Sequence, residues 1–208
     1  MYLPSAFAAP DAAAARDLMC AHPFASLISN DEQGEPFVTH LPLLLDTARG
    51  QESWLLLGHC ALANPHGNYL RTRPGALVTF LGPHAYLSPA VYPDRARVPS
   101  WNYLAVHCRV QARLIEAPAA KAALLERQIA AYEPAYAGQW SALDEDFRAR
   151  MLAGIVGLEL TITQLQCKLK LNQHRPESHA ALHAAYRVGN DDERALAAWM
   201  QRLGMVPA

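Results

Sequence analysis

Short apolar runs separated by turn-forming residues limit this chain's fold more than any other feature of its sequence. The runs cover residues 24–29, 37–45, 53–59, 76–81, 103–116 and 155–162. Gly34 and Gly50 lie in the polar stretches between the first three runs, as is typical of hairpins. Because helical segments occupy the connections and the end of the chain, the sequence predicts a β-barrel with helical appendages.

Helix signals occur at several points along the chain. Asp11 is placed to cap a helix that reaches Cys20, and Asn64 with Pro65 begins a short helix. Two helical segments follow Pro118, and the second begins with acidic residues. Residues 82–99 are rich in proline and predict a long irregular loop. We expect one domain over residues 1–208, with a helical C-terminal extension from about residue 176.

Composition excludes several classes of protein. Hydrophobic residues make up 51% and charged residues 18%, so disorder is not expected. The formal net charge of -1 disfavours direct binding of nucleic acid. The four cysteines form no CxxC pair, which predicts reduced thiols and a cytoplasmic location. We expect no membrane span and no secretory leader. We also expect no metal site, because the two histidines of "HAALH", on a predicted helix, lack the glutamate of the motif HExxH.

The last predicted strand carries a change of phase. Its apolar residues occupy even positions as far as Ile162 and odd positions from Leu165 onward. Side chains on a strand alternate with a period of two, so a bulge or strand end is expected near Thr163. Beyond it, Lys168 and Lys170 would share the face opposite the leucines. That face is either a solvated lysine edge or part of a ligand site.

The stretch "VPSWNYLAVH" at residues 98–107 places two large aromatic residues around an amide. One hypothesis puts Trp101 and Asn102 beside a cofactor or a second subunit. The alternative is that Trp101 plugs the end of the barrel.

Polar and aromatic residues recur near the ends of the predicted strands. They are Thr39, His40, Gly58, His59, Asn64, Ser88, Trp101, Asn102, Lys170, Gln173 and Arg175. Flat rings, amides and cations together suit a planar, phosphorylated, hydrogen-bonding ligand. FMN has this anatomy, but other nucleotides and haem share parts of it, so the residues alone leave the ligand open.

Five longer stretches of the chain contain most of these residues. They are "THLPLLLD" from residue 39, "GHCALANP" from 58, "GPHAYLSP" from 82, "VPSWNYLAVH" from 98 and "KLKLNQHR" from 168. In this order they resemble the PaiB family. The resemblance implies an α+β split β-barrel of the kind found in pyridoxine phosphate oxidases and flavin reductases, and FMN as cofactor. It also implies a homodimer with flavin sites at the subunit interface, and adds Leu41 and Pro42 to the cofactor-binding set.

The chain departs from the family pattern in three places. Residues 90–92 are AVY where the family often has SWY, Ser100 replaces a threonine, and Asn172 and His174 are substituted in the closing motif. Within that motif we expect Lys170 and Arg175 to hold the FMN phosphate, with Gln173 nearby.

Two hypotheses for the function, and a third of lower rank, are compatible with the sequence. The resemblance implies a negative transcriptional regulator. The net charge of -1 gives little support to direct contact between such a regulator and DNA. The alternatives are a flavin-dependent oxidoreductase or flavin reductase and, lower, a haem-binding split-barrel protein.

Overall fold

The computed structural model describes residues 1–48, 50 and 54–207. The helices are α1 (Ala12–Ala21), α2 (His66–Thr72), α3 (Pro118–Tyr132), α4 (Ala137–Ala142), α5 (Glu145–Ala153), α6 (His179–Arg187) and α7 (Asp191–Arg202). The strands are β1 (Phe24–Asn30), β2 (Pro36–Pro42), β3 (Leu44–Asp46), β4 (Leu55–Ala61), β5 (Gly75–Leu87), β6 (Ser100–Ile115) and β7 (Ile155–Lys170). No helix in this described part is long and apolar enough to span a membrane.

The strands form one sheet in the order β2-β1-β5-β6-β7-β4-β3. β1 and β2 are an antiparallel hairpin in which Phe24 lies opposite Pro42. β4 runs antiparallel to β7 and places Leu56 opposite Leu160. The order separates β4 from its sequence neighbour β5, so long-range pairing builds much of the sheet.

The chain forms two compact units. Unit 1 comprises Met1–Ala21, Leu81–Val106 and Gln166–Ala208, and unit 2 comprises His22–Phe80 and His107–Leu165. The buried side chains of unit 1 include Leu18, Met19, Leu104, Leu169 and Leu171, and those of unit 2 include Leu27, Leu56, Leu70, Leu158 and Leu160. The prediction of a single domain over residues 1–208 stays a prediction.

Local sequence signals account for several element boundaries. The Asp11 carboxylate accepts a hydrogen bond of 3.0 Å from the Ala14 amide at the start of α1, which confirms the predicted cap. Asp144 caps α5 in the same way through the Phe147 amide. Before α7, the Asn190 and Glu193 side chains each accept from the other residue's backbone N–H, forming a capping box.

Some predicted boundaries are wrong. β5 continues to Leu87, so the irregular segment is shorter than residues 82–99. Ala85 and Leu87 are buried while His84 and Tyr86 are exposed, and this alternation outweighs the nearby prolines. The predicted strand at 37–45 is divided into β2 and β3. In the predicted strand at 53–59, Ser53 lies outside the described residues.

β7 continues through the predicted phase change without ending. Buried apolar residues lie at even positions as far as Leu160 and at odd positions from Cys167, so the phase change itself is confirmed. The predicted solvated lysine edge is wrong, because Lys168 is only 6% exposed. Its ammonium donates a hydrogen bond of 3.1 Å to the Tyr2 carbonyl and lies 5.2 Å from the centre of the Tyr103 ring. Lys168 is therefore a structural cation.

Candidate functional site

A cleft of about 420 Å³ lies in unit 1. Its lining residues are Phe7, Leu87, Tyr92, Ala96, Arg97, Val98, Ser100, Lys170, Asn172, His174 and Arg175. The volume lies within the range of small-molecule sites. Basic side chains thus share this cleft with apolar and aromatic ones.

Lys170 projects from the end of β7. Its ammonium donates a hydrogen bond of 2.7 Å to the Ser100 hydroxyl and lies 5.8 Å from the centre of the Tyr103 ring. Partial burial is the main cause that lowers the Lys170 pKa, and the nearby Lys168 charge lowers it further. An anion in the cleft would restore part of the stabilisation that this ammonium loses through burial.

The two arginines of the cleft differ in their partners. Arg97 forms ion pairs with Asp94 at 2.7 Å and Glu177 at 3.2 Å, and its guanidinium lies 4.9 Å from the centre of the Tyr92 ring. Within the described part of the chain, the Arg175 guanidinium has no hydrogen-bond or ion-pair partner. Arg175 is therefore the cation of the cleft that is open to a ligand.

The side chains of Gln173 and Ser88 form hydrogen bonds with backbone groups of nearby residues. The Gln173 side chain accepts a hydrogen bond of 2.9 Å from the Leu171 amide and donates one to the Leu169 carbonyl. The Ser88 hydroxyl accepts from the Ala90 amide at 3.2 Å. These bonds shape a turn in each case.

Trp101 and Asn102 point in different directions. Trp101 is 54% exposed, so the alternative in which it plugs the barrel is wrong. Its ring lies 6.1 Å from Tyr86 and 6.3 Å from His84, measured between ring centres. Asn102 is fully buried, and its amide donates a hydrogen bond of 3.1 Å to the Tyr186 hydroxyl. The chain alternates one exposed ring with one buried amide, as a strand requires.

In unit 2, the structure brings together two predicted site residues, Thr39 and Asn64. The Thr39 hydroxyl accepts a hydrogen bond of 3.1 Å from the Asn64 amide and lies 2.8 Å from Nδ1 of His66. Nε2 of His66 lies 3.0 Å from the Ser29 hydroxyl. Burial lowers the His66 pKa to about 4. This polar network locks α2 against the β1–β2 hairpin.

His66 is absent from the predicted site residues, although a sequence signal was present. It directly follows Asn64 and Pro65, whose pairing marks the start of a helix. The Asn64 side chain accepts a hydrogen bond of 3.0 Å from the His66 amide, and this contact is local. The burial of the imidazole depends on distant parts of the chain, because Ser29 in β1 and Thr39 in β2 both contact it.

The other predicted residues of unit 2 lie along β2 and β4. Nδ1 of His40 lies 3.0 Å from the Ser26 hydroxyl on the exposed side of the hairpin. Nδ1 of His59 lies 2.8 Å from the side-chain oxygen of Gln128 in α3. The two histidines thus have partners on different elements.

Leu41, Pro42 and Gly58 form a close-packed group in unit 2. Leu41 is buried and Pro42 is exposed at the end of β2. A Cβ atom on Gly58 would lie 2.6 Å from a Leu43 methyl carbon and 3.0 Å from the Pro42 carbonyl oxygen. Only glycine fits at this position without a shift of its neighbours.

Sequence comparisons identify the relatives of this chain. Residues 1–164 match the family model described as "Putative FMN-binding domain". The chain is also 32% identical over 183 residues to "Protease synthase and sporulation protein PAI 2" of Bacillus subtilis, covering 86% of this chain and 84% of that protein. The chain belongs to the PaiB family of FMN-binding proteins. Its cofactor is FMN.

Solved structures agree on the architecture of this PaiB-family protein. The structural match with the flavocytochrome Anf3 of Azotobacter vinelandii covers 78% of this chain and 69% of the Anf3 chain, with a TM-score of 0.61 and 20% identity. The match with the FAD and heme binding protein of Mycobacterium smegmatis covers 78% of this chain and 72% of that protein's chain, with a TM-score of 0.59 and 18% identity. These similarities concern the fold alone, and they confirm the predicted α+β split barrel.

The PaiB family match and the cleft provide separate information. The matched region contains the predicted site residues from Thr39 to Asn102, whereas Lys170, Gln173 and Arg175 lie beyond residue 164. The chemistry of the cleft still fits FMN, because an unpaired guanidinium and a partly buried ammonium suit a phosphate. The case for Lys170 and Arg175 therefore rests on the PaiB-like stretch that begins at residue 168 and on the geometry of the cleft, and not on the match to the family model.

Proposed function

We propose that this PaiB-family protein anchors FMN through the phosphate group, with Lys170 and Arg175 as the charged contacts. The observation that carries the proposal is the Arg175 guanidinium, which lines the cleft without a partner in the described chain. When bound, FMN supplies hydride or single-electron transfer, whereas the protein supplies binding and orientation.

The other polar groups of the cleft support this choice of contacts. Arg97 is already neutralised by Asp94 and Glu177, so it contributes less to the attraction of an anion. Phe7 and Leu87 provide apolar walls, and exclusion of water by such walls strengthens a charged contact. We propose for Gln173 a role in shaping the turn, because its amide is bound to the backbone.

Arg175→Ala and Lys170→Ala should each weaken FMN binding about 10- to 100-fold, the loss expected for one charge-assisted hydrogen bond. Riboflavin lacks the phosphate, so its affinity should change little. Titration of both ligands against the purified variants, followed by flavin fluorescence, measures the two dissociation constants.

Arg95→Ala is the matched control, because Arg95 is an exposed arginine of the segment between β5 and β6 and does not line the cleft. It removes the same charge and should leave both affinities nearly unchanged. Equal weakening of FMN and riboflavin in the Arg175 and Lys170 variants would show that neither residue contacts the phosphate.

We also infer a regulatory role, supported by the naming of the Bacillus relative for protease synthesis and sporulation. The net charge of -1 argues that any such role works without strong direct contact to DNA. In gel-shift titrations with promoter DNA, we expect any complex formed at about 50 mM salt to vanish by about 200 mM. A complex that survives the higher salt would establish direct recognition. A homodimer and a cytoplasmic location stay predictions.

A further inference from the structure

Asn172 has a backbone conformation that few residues adopt. It lies between Lys170 and Arg175, is only 3% exposed, and has a φ of 68°. This left-handed region is unfavourable for most side chains, although asparagine tolerates it better than others. The turn that follows β7 and leads to Arg175 therefore depends on this residue.

The side-chain oxygen, the side-chain NH₂ and the backbone carbonyl oxygen of Asn172 all have hydrogen-bond partners. Its side-chain oxygen accepts a hydrogen bond of 3.1 Å from the Tyr92 hydroxyl, and its side-chain NH₂ donates one of 2.8 Å to the Ser178 hydroxyl. Its carbonyl oxygen accepts from the Arg175 amide at 3.0 Å and from Nε2 of His179 at 3.0 Å. Asn172 thus connects the segment after β5 with the start of α6.

The same network holds the backbone of Arg175 from both sides. Its N–H is bound to Asn172, and its carbonyl oxygen accepts a hydrogen bond of 2.9 Å from the Ser178 hydroxyl. The Ser178 hydroxyl donates its proton to Arg175, and its oxygen accepts a hydrogen bond from the Asn172 side chain at the same time. Within the described chain the Arg175 guanidinium has no hydrogen-bond or ion-pair partner, although its charge also acts on the Asp94 carboxylate. The network therefore fixes the backbone of Arg175 and leaves the guanidinium able to bind a ligand.

We propose that Asn172 is a positioning residue for the binding of flavin phosphate. It fixes the direction of Arg175 through the backbone and through Ser178. This inference rests on the proposed function of Lys170 and Arg175. The energetic reason is that a long side chain on a preformed turn loses less conformational freedom when it binds a ligand. Because Arg175 would contact only the phosphate, the loss of Asn172 should weaken the binding of phosphorylated flavins and leave the binding of riboflavin unchanged.

Asn172→Gly separates the backbone role from the side-chain role, because glycine adopts a positive φ readily and keeps the turn accessible. We expect FMN binding to weaken about tenfold, the scale of one hydrogen bond, with riboflavin affinity unchanged. Tyr92→Phe removes one of the two side-chain bonds and should give a smaller loss of the same kind. Thermal unfolding of each variant verifies that the protein is folded before titration.

A double-mutant cycle distinguishes the inference from the proposed function. If Asn172 acts through Arg175, Asn172→Gly combined with Arg175→Ala should bind FMN as weakly as Arg175→Ala alone. Losses that multiply in the double variant would overturn the positioning role. If Arg175→Ala itself leaves FMN affinity unchanged, the phosphate proposal fails first. If Arg175→Ala weakens FMN but Asn172→Gly does not, only the positioning inference fails.

Discussion

Leu160→Ala should lower the free energy of unfolding by about 2–5 kcal/mol, the range for a buried leucine that leaves a cavity. Leu160 is fully buried in β7 and lies opposite Leu56, which is also fully buried, across the β4–β7 ladder. Both residues are held by strand pairing, so the surroundings have little freedom to close the cavity. Chemical denaturation followed by circular dichroism measures the change.

Thr161→Ala provides the control within the same strand. Thr161 is exposed and lies one position further along β7, so its side chain points to the other face. Its replacement should cost less than about 1 kcal/mol. Equal losses from the two substitutions would contradict the packing of Leu160 against β4.

The protein should lose about 3 kcal/mol of stability through His66 alone as the pH falls from 7 to 4. The His66 side chain is 1% exposed, and burial lowers its pKa from the ordinary 6.5 to about 4. Between these values the unfolded chain binds a proton that the folded chain does not. Acid therefore favours unfolding in this pH window. The stability that the neutral, buried His66 contributes is fully present only above pH 6.5, and it is lost as the pH falls to about 4.

His66→Gln isolates this effect, because glutamine does not titrate and retains polar groups for Ser29 and Thr39. The difference in unfolding free energy between the parent protein and this variant should shift by about 3 kcal/mol between pH 7 and pH 4, in favour of the variant at low pH. Denaturant titrations at several pH values measure it. A difference that stays constant with pH would show that His66 gains its proton equally in both states.

Features that depend on neighbouring residues were predictable from the sequence. The β1 run, the helix that Asp11 caps and the acidic start of α5 all appear near their predicted positions. The phase change near Thr163 was predictable too, because alternation along a strand is a local pattern. The five PaiB-like stretches carried enough information to predict the family and the FMN cofactor, which the comparisons confirm.

Only the tertiary structure decided which polar side chains are free to act. Lys168 and Lys170 look equivalent on one strand, yet Lys168 is buried beside aromatic rings whereas Lys170 reaches a cleft. Arg97 is paired with Glu177 across a long stretch of chain, but Arg175 is left without a partner in the described residues. Alternation and capping depend on adjacent residues, so the sequence alone determined them. Burial and charge pairing depend on which distant segments meet, and that information exists only once the chain has folded.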